Sequence, residues 1–508
     1  MLRKNLFEVQ RLSTAALLAG SVLILGQTTA AARIYNLKSG EQVNTAPATK
    51  PMEKPVVKPA AAPAPKAPEK ASEKPVVKDP EPRPARDYFN DGEKAASKGD
   101  YRGAVADYTS ALAQDPKYQS AYLGRGIALA KLGDRTGALA DFNMAIALDP
   151  KNAQAYAHRG NVQAILGNGN AALADMNQAL ALDPKLADVL VNRAYVRSQM
   201  GNNAQAMADI TQSLKIQPRS AAAFLNRGYL RATERDLQSA LVDVNQAIAS
   251  NPKYAEAYLN RGVIQFALKR PEEAIKDFSE AIALKPDYAE AYFNRAILLS
   301  ERGNTVEASA DLDEVVRIDP DNAEGFLRRG QLLARLGDRA LAIRDYDQSL
   351  TLKPGQAEAY QLRADVRMEL QDYQGAILDY DQALAIAPNL GLAYRGRGVA
   401  KSKIGDAGGA ASDFSQALGV NGEDTMAFQM RGQARMALRD TKGALDDFSQ
   451  ALRIDPRNAD AFLHRGRIYR NLGQKGLAQT DLQQASNLYL QQNQGEGYRN
   501  ALQEMRRL

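Results

Sequence analysis

The chain offers few side chains that could perform catalysis. Its 508 residues contain no cysteine and two histidines, His158 and His464. The lack of cysteine excludes thiolate nucleophiles, disulfides and cysteine metal sites, and two histidines leave few routes to acid–base chemistry or transition-metal binding. The sequence shows no phosphate-binding loop and no catalytic combination of residues. We therefore expect no catalytic residues, no metal site, no cofactor and no enzymatic activity.

The most regular chemistry in the sequence is ionic. Arginine recurs at a fixed interval, and an aspartate follows each of these arginines at a constant distance, as Asp141 follows Arg125. The arginines include Arg125, Arg159, Arg193, Arg227, Arg261 and Arg295, and the row continues to Arg465. The aspartates include Asp141, Asp175, Asp209, Asp243 and Asp277, and the row continues to Asp481. Because a planar guanidinium binds a carboxylate through two parallel hydrogen bonds, this spacing predicts a ladder of partly buried ion pairs.

Two questions about this ladder stay open at the level of sequence. Each arginine can meet the aspartate that follows it or the one that precedes it, so that Arg159 can pair with Asp175 or with Asp141. The arginines could instead bind an anionic polymer, but a matching aspartate for every arginine would cancel their positive electrostatic field. We therefore interpret the ladder as structural.

A second row consists of amides. Asn192, Asn226, Asn260 and Asn294 recur at the same interval as the arginines. Apolar residues precede them and continue the row, namely Val191, Leu225, Leu259, Phe293 and Leu327. An asparagine side chain offers both a donor and an acceptor, so a spaced row can bind an extended peptide backbone, with the apolar neighbours receiving its side chains. The alternative is that these asparagines are merely solvated, or were copied by internal duplication.

Both rows follow from a 34-residue repeat. Prolines mark it from Pro116 to Pro388 at this interval, and Pro456 keeps the register. With position 1 set at Ala85, twelve repeats fill residues 85–492; position 4 is aromatic in eleven repeats, position 8 is small and position 20 is always alanine. Positions 4, 8 and 11 share one face of a first helix, and positions 20, 24 and 27 share one face of a second.

This pattern resembles the tetratricopeptide repeat, although the family usually has leucine at position 7, where this chain has arginine. The resemblance implies an all-α fold, a right-handed superhelical α-solenoid of stacked antiparallel helix pairs. It also implies that the first helices line a concave surface at positions 2, 5, 6, 9, 12 and 13. Such a surface binds other proteins or peptide segments, and the asparagine row is similar to the asparagine ladder of O-linked N-acetylglucosamine transferases.

The residues outside the repeats predict a signal, a linker and a cap. Residues 1–32 read as a cleaved signal peptide, with a basic start at Arg3 and Lys4, a short apolar stretch and cleavage after Ala30 or Ala32. Residues 33–84 form a disordered linker rich in proline, lysine and alanine. Residues 493–508 carry an apolar stripe that suits a C-terminal capping helix. We expect a periplasmic or secreted protein without an integral membrane span after signal cleavage.

The charge distribution bears on the partner. Residues 1–84 carry 13 basic and 7 acidic side chains and thus account for the whole net charge of +6, so nucleic acid is not the expected partner. Glutamates at position 2, Glu256, Glu290, Glu324 and Glu358, suit a helix start or select basic segments. We expect a protein–protein interaction scaffold of the cell envelope that binds extended polypeptides. The alternative is a subunit of a polysaccharide-secretion or envelope-assembly complex, for which Tyr195, Tyr229 and Phe266 are the available aromatic platforms.

Overall fold

A computed structural model describes residues 83–508, so the predicted signal peptide and nearly all of the predicted linker lie outside the described residues. The chain divides after Lys285 into two compact units. All regular structure between residues 83 and 508 is helical. None of these helices combines the length and the apolar character needed to cross a bilayer.

Unit 1 comprises the described residues up to Lys285. It contains helices α1 to α12, which in chain order are Ala85–Ser97, Tyr101–Gln114, Gln119–Lys131, Arg135–Leu148, Ala153–Ile165, Gly169–Leu182, Ala187–Gln199, Asn203–Ile216, Ala221–Thr233, Leu237–Ser250, Ala255–Ala267 and Pro271–Leu284. These helices form repeats 1 to 6, each of which is one antiparallel pair.

Unit 2 comprises Pro286–Leu508. It contains helices α13 to α25, which in chain order are Ala289–Glu301, Thr305–Ile318, Ala323–Leu336, Arg339–Leu352, Ala357–Glu369, Tyr373–Ile386, Gly391–Lys403, Ala407–Val420, Thr425–Ala437, Thr441–Ile454, Ala459–Asn471, Lys475–Gln491 and Gly495–Met505. The first twelve form repeats 7 to 12. The predicted all-α class of stacked antiparallel helix pairs is therefore confirmed.

The repeat period fixes both helix starts. In every repeat the first helix begins at position 1 and the second at position 17. The alanine at position 20 is fully buried in all twelve repeats, and the large side chain at position 24 is at most 2% exposed. A side chain on Gly126 would overlap the ring of Phe142, because the two helices touch at this point. The small residue at position 8 thus allows the close helix contact on which each pair depends.

A left-handed residue at position 15 ends every first helix. Glycine occupies this position in eight repeats, as at Gly133 with φ of 87°. In the other four repeats a residue with a Cβ adopts the same conformation. These residues are Arg235, Lys269, Gln371 and Arg439, with φ between 60° and 64°. The turn is therefore dictated by the repeat even where the side chain disfavours it.

The two ends of the repeat array carry different caps. In repeat 1 the positions that later repeats bury against a preceding pair hold Asp87 and Lys94, which are exposed. The equivalent Ala121 and Ala128 of repeat 2 are at most 1% exposed. At the other end, α25 packs its apolar stripe on the last pair, where Ala501 is fully buried. Polar residues thus close one end of the array and a helix covers the other.

Candidate interaction groove

The first helices of each unit form a common surface. Within a unit, the first helices of most neighbouring repeats contact each other directly. Among the described residues, the second helices of neighbouring repeats lie farther apart. Side chains at positions 6 and 9 meet across this line, as in the contact between Gln433 and His464 at 3.1 Å. We call the surface formed by positions 2, 6, 9, 12 and 13 of the first helices the inner face of each unit.

The apolar residues at position 5 lie in the packed interior. Their exposed fractions range from 1% to 6%. They are Val191, Leu225 and Leu259 in unit 1 and Phe293 and Leu327 in unit 2. A side chain covered by its own chain offers no surface to a peptide, so these residues stabilise the stack instead of forming the apolar part of a groove. The aromatic side chain at position 4, by contrast, is half-buried in the eleven repeats that have one.

The four asparagines at position 6 differ in their surroundings. Asn192 is 1% exposed and donates through Nδ2 to Oδ1 of Asn161 at 3.0 Å. Asn260 is 3% exposed, and its Oδ1 has no hydrogen-bond partner within residues 83–508. Asn226 in unit 1 and Asn294 in unit 2 are half-buried. The row therefore combines an internal hydrogen bond at Asn192 with unused hydrogen-bonding capacity farther along unit 1.

The side chain at position 24 of the preceding repeat sets the space available at position 6. His158 stacks on Phe142 at 5.8 Å between ring centroids, and His464 stacks on Phe448 at 5.4 Å. Burial in this stack lowers the pKa of His464 to about 4. Where position 24 is tyrosine, glycine can take position 6 to leave room for the longer ring, as at Tyr380 and Gly396. This coupling between the two positions was a usable signal that sequence reasoning missed.

The arginine ladder has one geometry throughout repeats 2 to 12. In repeat 6, Nε and Nη2 of Arg261 donate to Asp277 at 2.9 and 2.6 Å, and this bonding raises the pKa of Arg261. Nη1 of Arg261 donates to Asn245 of the preceding repeat at 3.0 Å, and the guanidinium lies 5.3 Å from the ring centroid of Tyr258. Each arginine thus pairs with the aspartate of its own repeat.

The same bidentate contact recurs in both units. In unit 1 it joins Arg125 to Asp141, Arg159 to Asp175, Arg193 to Asp209, Arg227 to Asp243 and Arg261 to Asp277, and in unit 2 it joins Arg295 to Asp311. A second cation at position 11, which sequence reasoning also missed, reaches the buried aspartate in some repeats. Arg197 contacts Asp209 and Arg231 contacts Asp243, both at 2.7 Å. These guanidinium groups thus bind carboxylates of the same chain.

Charged side chains occupy the inner face of unit 2. Arg328 donates to Glu324 at 2.7 Å and to Glu358 at 3.1 Å, so two of the position-2 glutamates share one cation. In unit 1 Glu256 lies 4.0 Å from Nζ of Lys285. The position-2 glutamates are thus ion-paired to different degrees.

A single carboxylate, Asp365 at position 9, stands apart from these pairs. Its Oδ1 accepts a hydrogen bond of 2.5 Å from the hydroxyl of Tyr380. The nearby Arg395 is turned to Asp424, at 2.7 Å. Asp365 keeps contact with solvent, yet the protein atoms around it raise its pKa to about 6.

The described part of the chain contains no group of histidine and carboxylate side chains arranged to hold a metal ion. The inner faces consist of amide, aromatic, charged and apolar side chains on a rigid helical frame. Such an arrangement can bind a polymer through many small contacts.

Structural comparison finds similar chains of low sequence identity. The hetero-tetramer of Cut9 and Hcn1 from APC/C is 16% identical, with a TM-score of 0.43, over 82% of this chain and 90% of that one. Pseudomonas aeruginosa pilF is 23% identical, with a TM-score of 0.39, over 43% and 98%. MamA from Desulfovibrio magneticus RS-1 is 24% identical, with a TM-score of 0.32, over 34% and 96%. A comparison with curated proteins found no match.

Family models described as tetratricopeptide repeat match ranges in both units. In unit 1 they match 92–153, 126–187, 187–220 and 255–288, and one further match runs over 278–308. In unit 2 they match 327–390 and 430–486. Together these ranges cover more than half of the chain.

Proposed function

The chain belongs to the tetratricopeptide repeat family, whose members bind other proteins or peptides, and from this premise we propose that it is a scaffold of the cell envelope that holds extended polypeptide segments on its inner faces. Tetratricopeptide arrays act as protein-interaction scaffolds because stacked helix pairs present a long, rigid surface. The location in the envelope and the extended form of the bound segment are the parts that we propose.

The observation that carries this proposal is the unused amide capacity of unit 1. Asn226 is half-buried, so its amide reaches the inner face, whereas the equivalent Asn260 one repeat later is 3% exposed and its Oδ1 has no partner among the described residues. A peptide backbone can supply a donor and an acceptor whatever its side chains are.

The test replaces both asparagines and measures polypeptide binding. We expect Asn226→Ala with Asn260→Ala to weaken the binding of peptides selected from a random library on the full chain by about tenfold, with unchanged helical content. The control replaces two exposed asparagines away from the inner faces, Asn170→Ala with Asn389→Ala. Equal affinity of the two double variants for every selected peptide would refute the role of the amides.

The envelope location rests on the N-terminal sequence, which lies outside the described residues. Arg3 and Lys4 precede a short uncharged apolar stretch and then small residues, as in exported precursors. Mass spectrometry of the protein from its native cell should find a mature chain that starts after Ala30 or Ala32. A chain that retains Met1 through residue 32 and stays in the cytoplasm would contradict this part of the proposal.

A second candidate function is glycan binding within a polysaccharide-secretion complex. Tyr195, Tyr229 and Phe266 lie in three consecutive repeats of unit 1, at inner-face positions, and each is half-buried. Aromatic faces beside amides suit sugar rings as well as peptides. If neutral oligosaccharides displace the selected peptides, and Tyr195→Ala with Tyr229→Ala abolishes that displacement, the glycan function is favoured.

A further inference from the structure

The inner face of repeats 7 to 9 carries excess negative charge. Six acidic and two basic side chains occupy its charged positions. They are Glu290, Glu301, Glu324, Arg328, Arg335, Glu358, Asp365 and Glu369. Arg328 bridges Glu324 and Glu358, and Arg339 of the second helix of repeat 8 lies 2.6 Å from Glu369. The six acidic and two basic side chains, together with Arg339, leave this surface a net charge of about three negative units at neutral pH.

Three of these carboxylates have no cation within 4.0 Å among residues 83–508. They are Glu290, Glu301 and Asp365. Glu301 and Asp365 are exposed on this face, and partial desolvation by neighbouring protein atoms raises the pKa of both groups. An exposed carboxylate without a cation beside it is open to a basic group of a ligand, which stabilises its charged form. These three side chains are thus the positions at which a bound cation gains most.

Apolar side chains on repeats 9 to 11 continue this face beyond its acidic residues. Most of these apolar side chains are methionine or leucine, and they include four of the 11 methionines of the chain. The apolar side chains are Leu362, Met368, Leu392, Val399, Met426, Met430 and Met436. Leu392 and Met426 are 38% and 37% exposed, and the others are half-buried. Flexible methionine side chains adapt to differently shaped apolar partners, which suits a binding surface.

The boundary between the acidic and the apolar residues has a glycine at position 6 of repeat 10. Gly396 lies against the ring of Tyr380, where any side chain would overlap that ring. Position 6 of repeat 10 therefore has no side chain that covers the Tyr380 hydroxyl or its acceptor Asp365. The carboxylate thus stays open to the inner face at the point where Leu362 and Met368 begin the apolar surface.

We propose that the inner face of unit 2 binds a polypeptide segment in which a cluster of basic residues adjoins a stretch of apolar residues. The basic side chains lie along repeats 7 to 9, one of them on Asp365, and the apolar side chains lie on repeats 9 to 11. The inference rests on the proposed function, because it names the chemistry of one polypeptide class that the scaffold takes. Complementary charge selects the segment, and apolar contact holds it.

The test compares three labelled peptides of equal length on the full chain by fluorescence anisotropy. The first has about four lysines followed by about six leucine, methionine and alanine residues. The second replaces the lysines by glutamates, and the third replaces the apolar residues by serine and glycine. We expect the first peptide to bind at least tenfold more tightly than either of the others, and its affinity to fall as salt is raised. Equal binding of the first two peptides would overturn the inference.

Variants then locate the site. We expect Glu290→Gln with Glu301→Gln and Asp365→Asn to weaken the first peptide by about tenfold, and Met426→Ser with Met430→Ser to weaken it at low and high salt alike. The charge-matched control is Glu307→Gln with Asp321→Asn and Glu423→Gln, all of them exposed residues of unit 2. An equal loss in the control would show nonspecific attraction and overturn the assigned site.

The folding of these variants is checked by their melting temperatures. Because Asp365 has a raised pKa, its charged form is disfavoured in the folded state, so Asp365→Asn should melt no lower than the parent at neutral pH. If library peptides bind the chain but the basic–apolar peptide does not, the inference fails while the proposed function stands. If no polypeptide binds at all, the proposed function fails as well.

Discussion

At the scale of single residues, we expect the loss of one arginine from the ion-pair ladder to destabilise the fold strongly. Asp277 retains only 6% side-chain exposure, and two nitrogens of Arg261 hold it. Removing the arginine leaves a buried, uncompensated carboxylate, so we expect Arg261→Ala to reduce the free energy of unfolding by about 3–5 kcal/mol. Urea denaturation followed by circular dichroism measures this loss.

A surface pair and a double variant test the reasoning about the ladder. Arg317 pairs with Glu314 at 2.6 Å, but the two side chains are 63% and 37% exposed. Arg317→Ala should therefore leave the free energy of unfolding nearly unchanged. The combined Arg261→Ala with Asp277→Ala should cost clearly less than the sum of the two single changes. Additive losses would mean that the two groups are not coupled.

At the scale of helices, the turn at position 15 can be improved. Lys269 and Gln371 adopt φ of 60° and 63°, a region that glycine enters without strain. We expect Lys269→Gly and Gln371→Gly each to raise the free energy of unfolding by about 1 kcal/mol, because the left-handed conformation penalises a Cβ by about that amount. Thermal and urea denaturation measure the gain.

The reverse substitution provides the control for this turn. Gly133 has φ of 87°, and no atom lies within 4 Å of a Cβ added there. Backbone strain is therefore the only cost of Gly133→Ala, which should lower the free energy of unfolding by a similar amount. If glycine at 269 destabilises the protein, the conformation of the first-helix end does not limit stability there.

Periodicity predicts the helices well, because each boundary follows a repeated residue. The repeat interval places Ala104 and Phe142 in the core, where both are fully buried. Periodicity alone does not say which flank of a helix meets the next repeat. For that reason the sequence could not decide that Leu225 lies inside the stack, or that Asn192 bonds to Asn161. Those contacts join neighbouring repeats, and their partners are far away in the sequence or lie on another helix.

At the scale of the whole repeat array, the C-terminal helix α25 determines whether the last pair is covered. Ala501 is fully buried against a cluster that includes Leu482 and Tyr489, and Glu504 accepts hydrogen bonds from Arg467 and Arg470. Without α25 this cluster faces water and the two arginines lose their carboxylate. Exposed apolar surface at the end of a repeat array promotes association.

We therefore expect a chain that lacks residues 493–508 to melt at a lower temperature and to associate more strongly than the full chain. Sedimentation velocity over a range of concentrations measures the association. The matched control, Glu504→Gln, keeps the apolar cover of α25 and weakens only its ionic contact, so it should lose some stability without added association. If the truncated chain sediments as the full chain does at every concentration, the surface that α25 covers does not promote self-association. In that case the helix contributes to stability alone, through its packing on Leu482 and Tyr489.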